Sequence, residues 1–287
     1  MPDAGPDDEI PVFDYPVGLS DLPARRWSEI RGPAGTACLG GTSYSFFVYP
    51  GDPARTVVYF EGGGGCADEV SCSPGTGRVV LSVERARAAV QAEPPGLTNP
   101  EAARNPLAGS TYVYVSYCTG DAHFGDAERD YGTHAGRANA GAAVEWVGRE
   151  LAAPSSLTVM GCSAGGYGTI LWGPQLAEFF PEARTTLVSD AAAGVHPNDR
   201  LPTAQIWGYE SPYDWYPAAD GAATWTTLDY LPELARAHPD VTTALITSDN
   251  DTVQQAFYTV LLGGESGLDW RRGVYDSLAG LRREIRR

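Results

Sequence analysis

Short apolar runs recur along the 287 residues, separated by Gly, Pro, Asp and Ser clusters, and most are too short to be helices. The runs Ser45 to Tyr49, Thr56 to Phe60, Tyr112 to Tyr117, Leu157 to Met160, Thr185 to Ser189 and Thr242 to Thr247 read as strands. Several are apolar throughout, the pattern of strands covered on both faces. Between them the period changes. Ala140, Val144, Val147 and Leu151 fall on one helical face, as do Val274, Leu278, Leu281 and Ile285, with Arg and Glu opposite. Alternating β and α elements of this size imply an α/β fold, a mostly parallel sheet with helices on both faces. The first 35 or so residues, rich in Pro, Gly, Asp and Arg, read as an extended lead-in, and 36–287 as a single domain. Gly62 to Thr76 and Pro197 to Tyr230 read as long loops or lids over the carboxyl end of the sheet.

One strand end carries a chemical pattern. Leu157-Thr158-Val159-Met160 runs into Gly161-Cys162-Ser163-Ala164-Gly165, a G-x-S-x-G between an apolar strand and a helix expected to stop near Gly173-Pro174. A strand-to-helix turn this tight admits only small neighbours and lifts the serine hydroxyl above the sheet, beside the helix N-terminus. Ser163 is therefore the candidate nucleophile; a structural glycine turn is the bland alternative. A second pattern follows Phe60: Glu61, then Gly62 to Gly65, then Cys66. Glycines there leave backbone N–H groups open to a ligand, and Gly63 or Gly64 with Ala164 would form an oxyanion hole. A phosphate loop would need a closing Lys-Ser/Thr, which is missing; a merely flexible loop is the other reading. In the loop Ser248-Asp249-Asn250-Asp251, a carboxylate follows a strand, as the chain order Ser, Asp, His requires. Asp249 and Asp251 are both candidates, and Asp251 serves equally well as the cap of a helix Val253 to Leu262.

Composition narrows the partners. Formal charge is −16 and all 20 basic residues are Arg, which argues against nucleic acid and against a strongly anionic polymer as substrate. Solubility alone also accounts for the acidity. No apolar run reaches about 18 residues, so no membrane span is expected. The first residues lack a basic start and an apolar segment, so they read as carrying no secretory signal, leaving the compartment open. Five cysteines show no CxxC spacing, so no metal site is expected. Cys66 and Cys72 flank a short acidic loop that a disulfide would close, with an all-thiol protein as the alternative.

Together, Glu61 to Cys66, Tyr117 to Asp121 (Y-C-x-G-D) and Gly161 to Gly166 (G-C-S-A-G-G) resemble the pectin acetylesterase / Notum family. Weaker matches are Cys38 with the strand after it, Ser189-Asp190, and Asp251-Thr252-Val253-Gln254. The resemblance runs from about Cys38 onward and implies an α/β-hydrolase-like, extracytoplasmic, metal-free esterase that removes acyl groups from carbohydrate or protein oxygens; a monomer without cofactor is expected separately. Its substrate would be a glycan or small-molecule O-acyl ester, acetyl above all. It further implies Ser163 as nucleophile, Asp251 as triad acid, Gly63, Gly64 and Ala164 as the oxyanion hole, and Cys66 paired with Cys72. A Cys38–Cys118 bridge would leave Cys162 free. The sequence departs from the family in two places. Glycines stand where a bulky aromatic is common, which puts the acyl preference in doubt. No histidine follows Asp251: His123, His134, His196 and His238 all precede it. Three accounts are open: a chain lacking its C-terminal strand and histidine loop, recruitment of an upstream histidine, or a non-catalytic protein. In the last, Trp207, Tyr209, Tyr213, Trp215 and Tyr216 would grip a glycan or lipid. His123, near a strand end, would line the pocket.

Overall fold

The computed structural model describes residues 9–75, 79–92, 96–195, 202–211, 213–215 and 227–284. The elements are β1 Val12–Asp14, β2 Ser28–Arg31, β3 Ser45–Tyr49, β4 Asp52–Phe60, α1 Glu84–Gln91, β5 Ser110–Val115, β6 Ala127–Arg129, β7 Gly132–His134 and α2 Gly136–Glu150. They continue as β8 Ser156–Cys162, α3 Ala164–Phe179, β9 Arg184–Asp190, α4 Pro202–Trp207, α5 Thr227–Ala237, β10 Thr242–Ile246, α6 Thr252–Val260 and α7 Gly267–Glu284.

Eight strands form one sheet in the order β1-β2-β3-β5-β4-β8-β9-β10, and β6 and β7 form a separate hairpin. Only β3 runs against the rest, pairing antiparallel with both β2 and β5. Every residue of β3 and β5 is buried, because helices cover both faces. Alternate residues part accordingly. Phe46 and Val48 join Val113, Val115, Leu157 and Val159 beneath α2, α3 and α5, whereas Phe47 and Tyr114 meet Ala86 and Val90 of α1 on the other side. Beyond Ala193, Trp270 and Val274 of α7 close a smaller cluster with Tyr258 of α6. No helix among the described residues is long and apolar enough to cross a membrane.

Two expectations change. The lead-in contributes β1 and β2 to the sheet, paired parallel to one another. Trp146 of α2 pins this segment by donating from Nε1 to the Val17 carbonyl at 2.7 Å, and the buried Glu29 of β2 takes both Nε and Nη2 of Arg87 from α1, at 2.8 and 2.7 Å. The helix after the serine does not stop at Gly173-Pro174 but continues to Phe179 with Pro174 inside it. Proline there removes one backbone donor and crowds the carbonyl of Ile170. Burial outweighs that cost: Leu176 and Ala177 beyond it are buried, and Gly173 lies flush on Leu187 of β9. The Leu171 carbonyl is taken up by the Tyr213 hydroxyl at 2.6 Å.

Candidate active site

The chain leaves β4 toward β5 on one side and enters β9 from β8 on the other, so the sheet reverses its winding between β4 and β8. A crevice opens at such a point beyond the carboxyl ends of the strands. Ser163 stands there, immediately after β8, with φ 57° and ψ −122°. A positive φ is costly for a residue with a Cβ. The turn is held by Ser163 N donating to Asp190 O at 2.8 Å and by Gly166 N donating to Ser163 O at 2.9 Å. Ser163 occupies the N-cap of α3, yet its side chain accepts no capping hydrogen bond. The hydroxyl is therefore not spent on the helix.

The neighbouring glycines are required by close backbone approach. A Cβ on Gly161 would lie 2.2 Å from Gly165 O, and one on Gly165 only 1.9 Å from Phe60 O. A Cβ on Gly166 would meet Ala192 Cβ and Asp190 O at 2.7 Å. The register Phe60↔Gly161 between β4 and β8 brings the glycine loop alongside: a Cβ on Gly62 would be 2.3 Å from Cys162 O and 3.5 Å from Ser163 Cβ. Gly63 faces the Tyr117 ring, and Gly64 has φ 81°. Among the described residues, the N–H groups of Gly62, Gly63, Gly64 and Ala164 find no protein acceptor. Gly62 was not singled out by sequence. Its nearness to Ser163 follows from β4 and β8 being neighbours, which no local pattern announces.

Glu61, just before this loop, is buried. Its Oε2 accepts from Tyr117 N at 3.0 Å and its Oε1 lies 3.6 Å from Arg85 Nε. Burial pushes its carboxyl up to about 7 against the pull of those donors.

Asp251 caps α6, its Oδ1 accepting from Val253 N at 3.0 Å and Gln254 N at 2.9 Å. Its charge is felt at the Cys162 thiol and the Tyr167 phenol, on either side of the serine. Asp249 turns away, bound to Arg271 Nη2 and Tyr275 Oη of α7 at 2.7 Å each. Of the two carboxylates, Asp251 is thus the one whose field reaches the elbow. Asp190, at the end of β9, is a further neighbour. Burial first, then the Asp190 charge and hydrogen bond, and lastly Asp251 push the free Cys162 thiol up to about 11. The other cysteines pair as Cys38–Cys118 and Cys66–Cys72.

His123 is 1% exposed, packed between Phe60, Tyr117 and Gly168. Its Nε2 donates to the Glu61 carbonyl at 2.8 Å, and burial lowers its pKa to about 4, keeping it neutral. It lies behind α3 rather than on an open wall. His134 donates from Nδ1 to Thr119 O at 2.8 Å, beside the buried Asp121, and burial lowers its pKa. Burial raises the pKa of Asp121, which takes Thr119 Oγ1 and Gly136 N at 2.6 and 2.8 Å. His238 Nε2 lies 3.7 Å from Glu178. His196 is outside the described residues. No described histidine hydrogen-bonds Ser163 or Asp251. Nor is any group of three or more His, Cys, Asp or Glu, among the described residues, arranged to hold a metal ion.

The loop aromatics are turned inward, contrary to their reading as a gripping surface. Trp207 is buried and donates to Cys66 O at 2.7 Å, Tyr209 packs on Phe124, and Tyr213 stacks on Trp215, which leans on Tyr230. Tyr216 lies outside the described residues. Rings of this size contribute more by filling the space over α3 than by facing water.

A family model described as Pectinacetylesterase matches residues 30–206. No curated protein matches the chain. Among solved structures, the Wnt deacylase Notum from Drosophila superposes with a TM-score of 0.61 at 17% identity, over 91% of this chain and 82% of that one. At that identity the likeness is one of fold, the mixed, mostly parallel sheet with surrounding helices.

Proposed function

This chain belongs to the pectinacetylesterase family, and from that premise we propose that it is a serine carboxylesterase removing short O-acyl groups, acetyl above all, from carbohydrate hydroxyls. Ser163 Oγ attacks the ester carbonyl. The amides of Gly63, Gly64 and Ala164, with Gly62 beside them, hold the oxyanion as the tetrahedral intermediate forms and collapses to an acyl-serine and the freed alcohol. Water then releases acetate. Asp251 is the acid that orients a histidine base and stabilises its imidazolium. The observation that carries this reading is Ser163 itself: a non-glycine residue at φ 57°, its hydroxyl free of capping duty, at the winding reversal beside unpaired glycine amides. Two disulfides support an oxidising, extracytoplasmic setting.

The base is the open element. His123, His134 and His238 are engaged elsewhere, an observation that favours a second reading, a hydrolase fold that binds without turnover. Against it stands the inward packing of the aromatics that such binding would use.

One experiment separates the two. Release of acetate from a peracetylated xylo-oligosaccharide is followed with and without imidazole, in wild type and Ser163→Ala. The esterase reading expects Ser163-dependent release that imidazole increases, since free imidazole can accept the Ser163 proton as the acyl-serine forms and return one to the leaving alcohol. No difference between the two proteins, with imidazole present, would sink it.

A further inference from the structure

The glycine loop has no side chains of its own to fix it, so its position is set by what grips its carbonyls. Gly63 O accepts from Val80 N at 2.8 Å, a backbone contact. Gly64 O accepts from the Tyr117 hydroxyl at 2.9 Å. That hydroxyl in turn accepts Ala122 N–H at 2.9 Å, which leaves its single proton for Gly64. The Tyr117 ring also fills the space beside Gly63, where a Cβ would lie 2.3 Å from Cδ1. At its other end the Tyr117 N–H holds the Glu61 carboxylate at 3.0 Å, and His123, 4.8 Å away ring to ring, holds the Glu61 carbonyl. Ala122 and His123 both sit at positive φ, 55° and 72°. Two successive non-glycine residues in that region are strained. The strained turn is what delivers Ala122 N–H to the hydroxyl and the His123 ring to Glu61. Both flanks of the loop are thus clamped from one buried tyrosine and the turn behind it.

We propose that Tyr117 is a positioning residue for the oxyanion loop, setting the Gly62–Gly64 amides against Ser163 through Gly64 O and the face of Gly63. The proposal rests on the serine-esterase reading above. Tyr117 touches no reacting atom, so its effect must appear in the transition state and not in binding.

The test is labelling of Ser163 by an alkyl fluorophosphonate, whose phosphoryl oxygen occupies the oxyanion position. The saturating rate and the half-saturating concentration are read separately. Tyr117→Phe keeps the ring and removes the hydroxyl. The saturating rate is expected to fall about 10- to 100-fold with the half-saturating concentration within about twofold. Tyr112→Phe is the structural control. It deletes the hydroxyl of a tyrosine as buried as Tyr117, which accepts from Asn105 Nδ2 at 2.8 Å and donates to Leu97 O at 3.0 Å, away from the loop. It should lower the melting temperature comparably and label at the wild-type rate. Tyr117→Phe labelling within about twofold of wild type overturns the proposal, as does equal slowing by Tyr112→Phe. Wild type that never labels at Ser163 overturns the serine reading and this proposal with it; normal wild-type labelling with an unaffected Tyr117→Phe overturns this proposal alone.

Discussion

Removing the two disulfides separately should cost unequal amounts, and the inequality follows from loop length. Cys38–Cys118 spans a sequence separation of 80, Cys66–Cys72 one of 6. The chain-entropy relation gives about 4.5 kcal/mol for the longer loop and about 2 for the shorter. Their difference, about 2.3 kcal/mol, depends only on the ratio of the two lengths. All four cysteines are buried, so each double Cys→Ala variant also loses two buried sulfurs, a packing cost that cancels to first order in the comparison. Urea unfolding followed by far-ultraviolet circular dichroism, extrapolated linearly with the slope checked for constancy, measures both losses. Cys38→Ala/Cys118→Ala should be the less stable by about 2 kcal/mol. Effects on Ser163 should rank the other way. Cys66 ends the glycine loop, is held through Cys66 N to Gly120 O at 3.0 Å, and receives the Trp207 indole, so its variant should slow fluorophosphonate labelling more. Equal stability losses, or a larger loss for Cys66→Ala/Cys72→Ala, would refute the reasoning.

Three further outcomes are expected. Gly165→Ala, whose Cβ would sit 1.9 Å from Phe60 O, should cost about 3 kcal/mol or more in thermal unfolding, whereas Gly40→Ala, with open space around it, should stay within about 0.5. Glu61 titrates near 7 when folded, against 4.5 ordinarily, so as pH falls from 7 to 4.5 the folded protein takes up a proton that the unfolded chain does not. Wild type therefore gains about 3 kcal/mol across that window relative to Glu61→Gln, measured by urea unfolding at each pH, and a constant difference would contradict the buried carboxylate. Cys162, pushed to about 11, should react with iodoacetamide at pH 8 about 100-fold more slowly than an ordinary thiol, as read by intact mass.

Much of this was legible before the fold. The apolar runs located β3 to β5 and β8 to β10 because buried strands are continuous in apolar residues. The elbow was legible because its small residues directly follow an apolar strand, although the contacts that demand Gly165 and Gly166 come from Phe60, Asp190 and Ala192 on neighbouring segments. The first two strands were not. Val12-Phe13-Asp14 and Ser28-Glu29-Ile30-Arg31 are short and carry polar residues, and they become strands only by pairing, β2 onto β3 and β1 onto β2. Pro174 misled for the opposite reason, since a local stop was overridden by burial on both sides of it. Gly62 was not singled out, and Asp190 was matched without its place beside Ser163, because both placements come from strand order, β4 and β9 flanking β8, which the sequence does not display. His123, expected to line the pocket, is instead buried against Phe60, Tyr117 and Gly168.

The central claim is that Ser163 is a nucleophile presented to an oxyanion hole. Peptide mapping by tandem mass spectrometry after exposure to an alkyl fluorophosphonate tests it most directly. The expected result is a single phosphonyl adduct on Ser163, absent from Ser163→Ala and lost from wild type on prior denaturation. A folded wild-type protein that carries no adduct there, or carries it equally on other serines, would contradict it.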